Sequence, residues 1–568
     1  MLGIVGWIAL CSVTNREVDV VKPLSRRVFL AGGAGLVAAA CGSSSNDGAP
    51  DPGSAVETTT SSPSPATSEA AAAPAITAEP VSTTTTAAID LGGEPFTLGV
   101  ASGDPLTDRV ILWTRLAPDP TVADGAMPSD DIAVAWELAA DDSFSEIVAS
   151  GEAIAIARDA HTVHVDALGL AAGTAYAYRF RVGDYVSDVG QTRTVPASGT
   201  DDFSFVVATC QDHQFGEYAA WRDVAQRGDV DAVLFTGDYI YELAPIDFSP
   251  AGEGKRKWLN PSPADLDGFR LRYAQVKSDP SLQAAHRATP WMLMWDDHEI
   301  TDNYWSGGPG GFDSAGGDFA PRRAAAYQAW WEHQPVRLDP PSDGVLAIHR
   351  SLRVGDLIEL FMIDTRQFAD EPPCRDSSRL DLGIDCGERD DPERSLLGAE
   401  QEQWLLDGLG ASSAKWNALV SPVMFAGLDA RSEGDDEPSY YLESWDGYTA
   451  ERDRVADALA AVSNPVVLSG DYHASFALDV GPAIGRDVFA PEFLATGISS
   501  APFAAEVRPA NPHVHHFAGD NGYLFCSASS AALTVEFRTV TDVWDPASPV
   551  ELSAKFIVDD GNPVMREA

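Results

Sequence analysis

The stretch VLFTGDYIYE, from Val233 to Glu242, decides the fold class of the longest part of the chain. Val-Leu-Phe is typical of a buried strand, and the strand breaks at Gly237. A carboxylate and a phenol, Asp238 and Tyr241, then follow. An apolar strand that ends in such side chains predicts a functional site at its carboxyl end.

The same pattern recurs along the chain after residue 200. The runs FSFVVATC, PWMLMWDDHE and PVVLSGDYHAS are apolar and end in polar residues, and helical segments such as GEYAAWRDVAQRG lie between some of them. This alternation predicts an α/β (α+β layered) fold, in which chemistry collects at the carboxyl ends of the strands. We therefore expect residues 200–568 to form one α/β domain.

The polar strand ends together form a candidate metal site. They are Cys210, Asp238, Tyr241, Asp296, Asp297, His298, Asp471 and His473. Carboxylates buried side by side repel one another, and their desolvation is costly unless a cation neutralises them. Thiolate, phenolate and imidazole ligands suit a trivalent ion such as Fe(III), and carboxylate oxygens suit divalent ions beside it. We therefore expect the strands to deliver these side chains to a cluster of metal ions.

A different pattern precedes this region. Between residues 96 and 196, short strands such as VILWTRL, IAVAWELA and TAYAYRFRV are separated by Asp, Gly and Pro. In the last of them, Tyr176, Tyr178 and Phe180 alternate onto one face. About 100 residues of this pattern predict a small all-β sandwich of the immunoglobulin-like or fibronectin-like kind, which we place at residues 91–199.

The N-terminus predicts export from a bacterial cytoplasm. Arg26 and Arg27 directly precede an apolar run that is too short to span a bilayer, and residues 1–41 resemble a twin-arginine signal. The run ends at Cys41, where lipidation, which we favour, and ordinary cleavage before the cysteine both fit. Residues 42–90 are rich in Ser, Thr, Ala and Pro, which predicts a disordered tether.

Charge and cysteine content exclude several classes of protein. The net charge of -47 argues against nucleic acid or an anionic membrane surface as a partner, so membrane contact is expected only through a lipid anchor. Six cysteines in 568 residues are not a disulfide framework. Cys374 and Cys386 share one polar loop of an exported chain, which predicts a local disulfide between them.

The chain resembles the PhoD-like alkaline phosphatases of the metallophosphoesterase superfamily. The resemblance covers nearly everything from residue 96 onward, and it is carried by TCQDHQFGEYAAW, GDYIYE, TPWMLMWDDHEITDN, DTRQF, SWDGYTAERDRV and GDYHASF. It implies that the small β domain is followed by a calcineurin-like metallophosphoesterase domain. It also implies one Fe(III) and two Ca(II) ions in a single site.

The resemblance further implies a role for individual residues. The iron-binding positions match Cys210, Asp238, Tyr241, Asp471 and His473. Asp238 should bridge to calcium, and Asp297 falls on the divalent side of the site. Asn303 and Asp446 are weaker candidates for the same site, and His298 matches the residue that protonates the leaving oxygen.

The function implied is hydrolysis of small phosphate mono- or diesters by an exported alkaline phosphatase. A metal-activated hydroxide attacks phosphorus in line, and the cations offset charge on the equatorial oxygens. A phosphodiesterase or a phospholipase of the D type is the alternative within the family. A non-enzymatic surface-binding lipoprotein is disfavoured, because a binding scaffold has no need of a complete metal set. We expect export by the twin-arginine machinery to a periplasmic or cell-surface position, or secretion.

Overall fold

The computed structural model describes residues 91–246, 256–310, 315–374, 382–384, 387–431, 436–503 and 507–568. The α-helices in these ranges are α1 (Ala219–Gln226), α2 (Leu266–Lys277), α3 (Pro280–Ala288), α4 (Phe319–His333), α5 (Ala399–Ala411) and α6 (Thr449–Ala460). Short 3₁₀ helices span Ala157–Asp159, Glu388–Asp390, Trp445–Gly447, Pro482–Ile484 and Arg508–Ala510. Within the described ranges, every helix is too short or too polar to cross a membrane.

Two helices show how the sequence sets local boundaries. The side chain of Asp265 accepts the backbone N–H of Gly268 at the start of α2. Asp279 caps α3 in the same way, and Pro280 occupies the first helical position, where its missing N–H is not needed. These caps fix where the two helices begin after strand β10 (Ala232–Phe235), which is followed by the GDYIYE motif.

The largest sheet, sheet 1, has ten strands. In spatial order they are β24 (Arg566–Glu567), β23 (Val550–Asp559), β22 (Ala532–Val540), β21 (Gly522–Ser529), β9 (Asp202–Ala208), β10 (Ala232–Phe235), β11 (Trp291–Leu293), β1 (Val100–Gly103), β2 (Arg109–Arg115) and β5 (Thr162–Leu168). Strands β9, β10 and β11 are parallel neighbours. Their carboxyl ends therefore meet at one edge of the sheet.

Sheet 2 has seven strands and faces sheet 1. In spatial order they are β12 (Arg350–Val354), β13 (Ile358–Met362), β15 (Trp416–Val420), β17 (Pro465–Ser469), β19 (Ala490–Leu494), β18 (Ser475–Val480) and β20 (Val514–Ala518). Strands β13, β15, β17 and β19 are parallel. A separate pair joins β14 (Leu382–Ile384) to β16 (Ser439–Tyr441).

Alternating side chains of sheet 2 separate two hydrophobic cores. Leu360 and Met362 of β13 belong to the core shared with sheet 1, whereas Phe361 belongs to a second core with Leu405 of α5 and Val455 of α6. Side chains of α1 to α4 join the core around sheet 1. The elements thus stack as helices, sheet, sheet and helices, and the predicted mixed α/β architecture with several sheets is confirmed.

The N-terminal strands divide between two sheets. A third sheet holds β4 (Ile147–Ala155), β3 (Ile132–Ala139), β6 (Ala175–Val182) and β7 (Tyr185–Val186), with β8 (Gly190–Arg193) also paired to β6. Leu112 of β2 packs with Val134 of β3 and Phe180 of β6 in one core. Strands β1, β2 and β5, however, belong to sheet 1 rather than to a sheet of their own.

The continuity of sheet 1 depends on a close approach at Gly103. Strand β1 pairs in parallel with β11 at Gly103 and Trp291, and the backbone N–H of Asp104 donates to the Trp291 carbonyl at 3.0 Å. A Cβ at Gly103 would lie 2.6 Å from that carbonyl oxygen and 2.1 Å from the Pro335 oxygen. Strand periodicity predicts which face of a sheet a side chain lies on, but it does not predict which strand will be the neighbour. The pairing of β1 with β11 could therefore not be predicted from the sequence.

Candidate metal centre

Four strand ends meet where sheets 1 and 2 face each other. Cys210 follows β9, Asp238 follows β10, the run Asp296 to His298 follows β11, and the run Asp471 to His473 follows β17. An isolated parallel bridge from Thr209 to Gly497 links the segment after β9 to the segment after β19. The predicted strand-end residues are therefore brought together, and their roles as ligands stay a prediction.

Asp238 is the hub of the first group. Its Oδ2 accepts the Tyr241 hydroxyl at 2.9 Å and the Cys210 thiol at 3.4 Å. The Tyr241 hydroxyl also lies 3.2 Å from His473 Nε2 and 2.9 Å from Ser500 Oγ. Cys210, Asp238 and His473 each offer a ligand atom, and these atoms lie within 4.8 Å of one another. A thiol, a carboxylate, a phenol and an imidazole thus converge on one point.

Two further groups continue from this one. Asp238, Asp297 and His298 form the second, and Asp296, Asp297 and Asp471 form the third, with the same limit of 4.8 Å between ligand atoms. Asp238 is shared by the first two groups and Asp297 by the last two. The three groups therefore form one connected cluster, and carboxylates dominate its second and third groups.

Among the described residues of this cluster, one buried carboxylate oxygen lacks a hydrogen-bond partner. Asp297 Oδ1 is buried and has no hydrogen-bond partner within the described part of the chain. Its other oxygen, Oδ2, accepts the backbone N–H of Asn303 at 2.6 Å. Because an unsatisfied buried carboxylate oxygen is costly, this atom fits a bound cation.

Burial dominates the electrostatics of the first group. It raises the pKa of the Asp238 and Asp471 carboxyls well above the usual value. It does the same to the pKa of the Cys210 thiol and the Tyr241 phenol, where the charge of Asp238 adds to the effect. A polyvalent cation would reverse these shifts, because it favours the ionised form of every ligand.

For Asp297 and His298, the charges of neighbouring side chains outweigh the effect of burial on the pKa. Burial alone would raise the pKa of Asp297, but His298 and Arg366 together outweigh it and lower this pKa to about 2. Burial would likewise lower the pKa of His298, but Asp297, Glu242 and Asp238 outweigh it and raise the pKa well above the usual value. For both side chains, the neighbouring charges thus act on the pKa against burial and outweigh it.

The backbone around the cluster is strained. Five residues of the site have left-handed φ angles: Cys210 at 53°, Asp238 at 62°, Asn303 at 50°, Asp471 at 71° and His473 at 53°. Each such conformation costs about 1–3 kcal/mol in a residue with a side chain. Strain of this kind persists where the surrounding structure fixes the backbone, and it concentrates at functional sites.

Two glutamates that the sequence reasoning passed over hold the strand-end loops together. Glu299 accepts the backbone N–H groups of Asp238, Tyr239 and Asp296 at 2.7–3.0 Å. Glu242 follows β10 and contacts the loop after β11, where its Oε2 lies 2.8 Å from His298 Nδ1. Glu242 ends the run GDYIYE, and Glu299 ends the run DDHE. Their positions in these two runs could have indicated that they belong to the site.

Arg366 is the third residue that the sequence reasoning missed. It follows β13 in the run DTRQF, and it is 1% exposed. Its guanidinium hydrogen-bonds both oxygens of Asp296, and Nη1 donates to Asn303 Oδ1 at 3.1 Å. Arg366 Nη2 also lies 3.8 Å from Asp297 Oδ1, so this cation faces two of the three carboxylates of the third group.

The remaining predicted residues have separate outcomes. Asn303 lies beside Asp297, as described above. Asp446 is engaged elsewhere: its carboxylate accepts Arg452 Nη1 at 2.6 Å and the backbone N–H of Leu428 at 3.0 Å. Cys41 and Cys386 lie outside the described residues, so lipidation and the Cys374–Cys386 disulfide stay predictions.

Comparisons with known proteins identify the family of this chain. The family model described as PhoD-like phosphatase matches residues 205–537, and the model of the PhoD-like phosphatase N-terminal domain matches residues 82–196. Alkaline phosphatase D of Bacillus subtilis (strain 168) is 38% identical over 486 residues, which cover 83% of this chain and 82% of that protein. A solved structure titled "Structure of PhoD" matches with a TM-score of 0.78 and 37% identity, over 84% of this chain and 92% of that one.

The fold and the site define a phosphoric ester hydrolase, and the chain is an enzyme. It belongs to the PhoD-like phosphatase family.

Proposed function

We propose that this chain is an exported alkaline phosphatase that hydrolyses small phosphate esters at a cluster of one Fe(III) and two Ca(II) ions. The observation that carries the proposal is that Cys210 and Tyr241 both donate to Asp238, while His473 contacts Tyr241 and offers a ligand atom within 4.8 Å of those of Cys210 and Asp238. A site that holds only hard divalent ions such as Ca(II) would have no need of a thiol at this point, because these ions take oxygen ligands.

The donor atoms divide the cluster into two parts. Cys210, Asp238, Tyr241, Asp471 and His473 would hold iron, because thiolate, phenolate and imidazole suit a trivalent ion. Asp297, together with Asp238, would hold calcium, for which carboxylate oxygens are the usual ligands. The orphaned Oδ1 of Asp297 supports the second assignment.

The residues of the chain supply the rest of the chemistry. When bound, the metal ions would supply positive charge for the phosphoryl oxygens and make water acidic enough to attack phosphorus. His298 stands beside Asp297 and Asp238, where it can donate a proton to the leaving oxygen. Arg366 holds Asp296 and Asn303 in place next to this centre.

The remaining parts of the proposal concern the organisation of the chain. Residues 91–199 form the small β domain, and residues 200–568 form a calcineurin-like metallophosphoesterase domain. The twin-arginine segment within residues 1–41 directs export, and Cys41 carries a lipid anchor. Arg26 and Arg27 lie outside the described residues, and replacing both with Lys should stop the export of active enzyme.

Metal and substrate analysis of the purified full chain tests the proposal. We expect about one iron and two calcium ions per chain, and faster hydrolysis of p-nitrophenyl phosphate than of bis-p-nitrophenyl phosphate. An active enzyme that contains only zinc or magnesium would contradict the metal assignment. A preference for the diester would establish the phosphodiesterase alternative instead.

A further inference from the structure

Glu242 is a buried carboxylate that the metal groups do not explain. It is 1% exposed, and among the described residues it belongs to none of the three groups that could hold an ion. Its Oε2 lies 2.8 Å from His298 Nδ1, and its Oε1 accepts the backbone N–H of Asp302 at 2.9 Å. Both oxygens are therefore committed to the loop that carries His298.

Three contacts fix the imidazole of His298. Nδ1–H donates to Glu242, and the backbone N–H donates to Asp238 Oδ1 at 3.2 Å. The ring stacks on Tyr241, with centroids 4.2 Å apart and an angle of 28° between the planes. Asp302 Oδ1 is 3.9 Å from Nε2, beyond hydrogen-bond distance. Within the described part of the chain, Nε2 has this one ion-pair contact and no hydrogen bond, so it is the ring nitrogen that can still donate a hydrogen bond to a substrate.

We propose that Glu242 is the positioning residue of the leaving-group step: it fixes the orientation and tautomer of His298 so that Nε2–H faces the leaving oxygen of the ester. The inference rests on the proposed function, in which His298 is the proton donor. A carboxylate on the far nitrogen of a catalytic imidazole sets both its rotation and its proton position. Aspartate would be shorter by about 1.5 Å, one carbon–carbon bond, and would not span this gap.

The leaving-group step breaks one phosphorus–oxygen bond and transfers one proton from His298. The phosphorus–oxygen bond to the leaving group breaks, its electron pair stays on the oxygen, and the Nε2 proton of His298 moves there. A water oxygen forms the new bond to phosphorus, and a water proton returns to His298 through solvent. The ester and one water thus become an alcohol and phosphate. The proton matters little for a leaving group that is already a stable anion and matters greatly for an alkoxide.

Glu242→Gln tests this dependence on the leaving group. The amide is nearly the same size but removes the negative charge and changes the acceptor on Nδ1. For glycerol phosphate, whose alcohol is a poor leaving group, we expect kcat to fall about 10–100-fold. For p-nitrophenyl phosphate we expect kcat to fall less than about threefold, with KM for both esters within about twofold of the wild type. Iron and calcium content should equal that of the wild type.

Glu451→Gln is the matched control. Glu451 is also fully buried, and it accepts the backbone N–H of Leu396 at 2.5 Å and the Ser395 hydroxyl at 2.8 Å. It lies outside the three metal-holding groups of the described chain. The control should lower the stability of the protein without altering the ratio of the two rates. A change in that ratio would assign the effect to burial of an amide in general and would overturn the proposal.

A double-mutant cycle with His298→Gln separates positioning from support of the metal site. If Glu242 acts through His298, Glu242→Gln should have no further effect on the rate ratio when His298 is absent. An equal loss on both esters, a loss of metal, or unchanged rates would each overturn the positioning role. Failure of the proposed function would look different, because the wild type itself would then hydrolyse neither ester.

Discussion

Arg366 binds Asp296 through two parallel hydrogen bonds, from Nε to Oδ1 at 2.5 Å and from Nη2 to Oδ2 at 3.0 Å. Both side chains are only 2% exposed. A bidentate pair of this kind combines charge with fixed geometry and is the strongest arrangement an arginine makes with a carboxylate. One buried cation thereby holds the acid-rich strand end in place independently of any bound metal.

Arg366→Gln should therefore destabilise the fold strongly. The substitution leaves the Asp296 carboxylate buried and unpaired, which typically lowers the free energy of unfolding by about 3–5 kcal/mol. Urea denaturation of the purified protein measures this change. The double variant Arg366→Gln with Asp296→Asn removes both charges and should recover most of the loss. A double variant no more stable than Arg366→Gln would contradict the pairing argument.

Tyr241→Phe and Cys210→Ser should each change the visible spectrum. In the proposed site, phenolate and thiolate ligands of Fe(III) would give the protein a visible charge-transfer band, so loss of either ligand should bleach or shift that band. Both substitutions keep the size of the side chain, and we expect far-UV circular dichroism to stay unchanged. Absorption spectra and iron analysis of the two variants provide the measurement. A colourless wild type would rule out both ligands together.

Chelation should separate the two kinds of metal. Calcium bound by carboxylate oxygens exchanges more readily than iron held by thiolate, phenolate and imidazole. A calcium chelator should therefore abolish activity while the iron content and the visible band remain, and added Ca²⁺ should restore the rate. If iron leaves together with calcium, the division into two parts is wrong.

The sequence predicted the strand-end residues because each follows an apolar run directly. Local order suffices there: the position of Cys210 or Asp238 at a strand end depends only on where the strand stops. Arg366 was missed because its partner, Asp296, is 70 residues away along the chain. The contacts of Asp446 with Arg452 and Leu428 depend on how α6 packs, and a role for Asp446 at the site stays a prediction.

The order of the strands within the sheets could not be predicted from the sequence either. A separate sandwich was the expectation for the N-terminal region, yet β1, β2 and β5 extend sheet 1. The strand patterns of that region specify buried and exposed faces correctly, as the shared core of Leu112 and Phe180 shows. The choice of neighbour depends on backbone hydrogen bonds and on the room beside Gly103, which side-chain periodicity does not encode.

The stability of the protein should depend on pH through His515 and Asp479. His515 Nε2 lies 2.7 Å from Asp479 Oδ2, and this hydrogen bond raises the pKa of the half-exposed imidazole. A raised pKa in the folded state means that the stabilisation is fully present below the unfolded value of about 6.5 and is lost as pH rises through the folded value. His513 lies nearby on the same segment, and burial lowers its pKa.

Asp479→Asn provides the measurement for this pair. The free energy of unfolding of the wild type, measured relative to that of the variant, should decrease from pH 6 to pH 9. The effect is modest, because solvent screens a half-exposed pair. Identical slopes for the two proteins would show that the pair contributes nothing to the pH dependence.

Gly237→Ala should disable the site while leaving most of the fold intact. Gly237 has a φ of 136°, and a Cβ there would lie 2.5 Å from both the Cβ and the backbone nitrogen of Asp296. Its carbonyl also accepts the backbone N–H of Cys210 at 3.1 Å. Three strand ends therefore touch at this residue, and any side chain would push Asp238 away from its partners. A displacement of about 1 Å typically costs about 100-fold in rate, and we expect at least that loss of kcat/KM with reduced iron content.

Gly169→Ala separates this close approach from backbone strain. Gly169 also has a left-handed φ, 78°, but a Cβ added there meets nothing within 4 Å. The control should therefore lose stability through strain and keep its activity and iron. If Gly237→Ala loses only as much stability as the control and keeps its iron, then the glycine of the GDYIYE motif serves the turn alone. If Gly237→Ala instead loses iron and activity at a stability similar to that of the control, the close approach at Gly237 is what matters. The absence of a side chain there then lets the ends of β10 and β11 lie close enough for Asp238 and Asp297 to share one site.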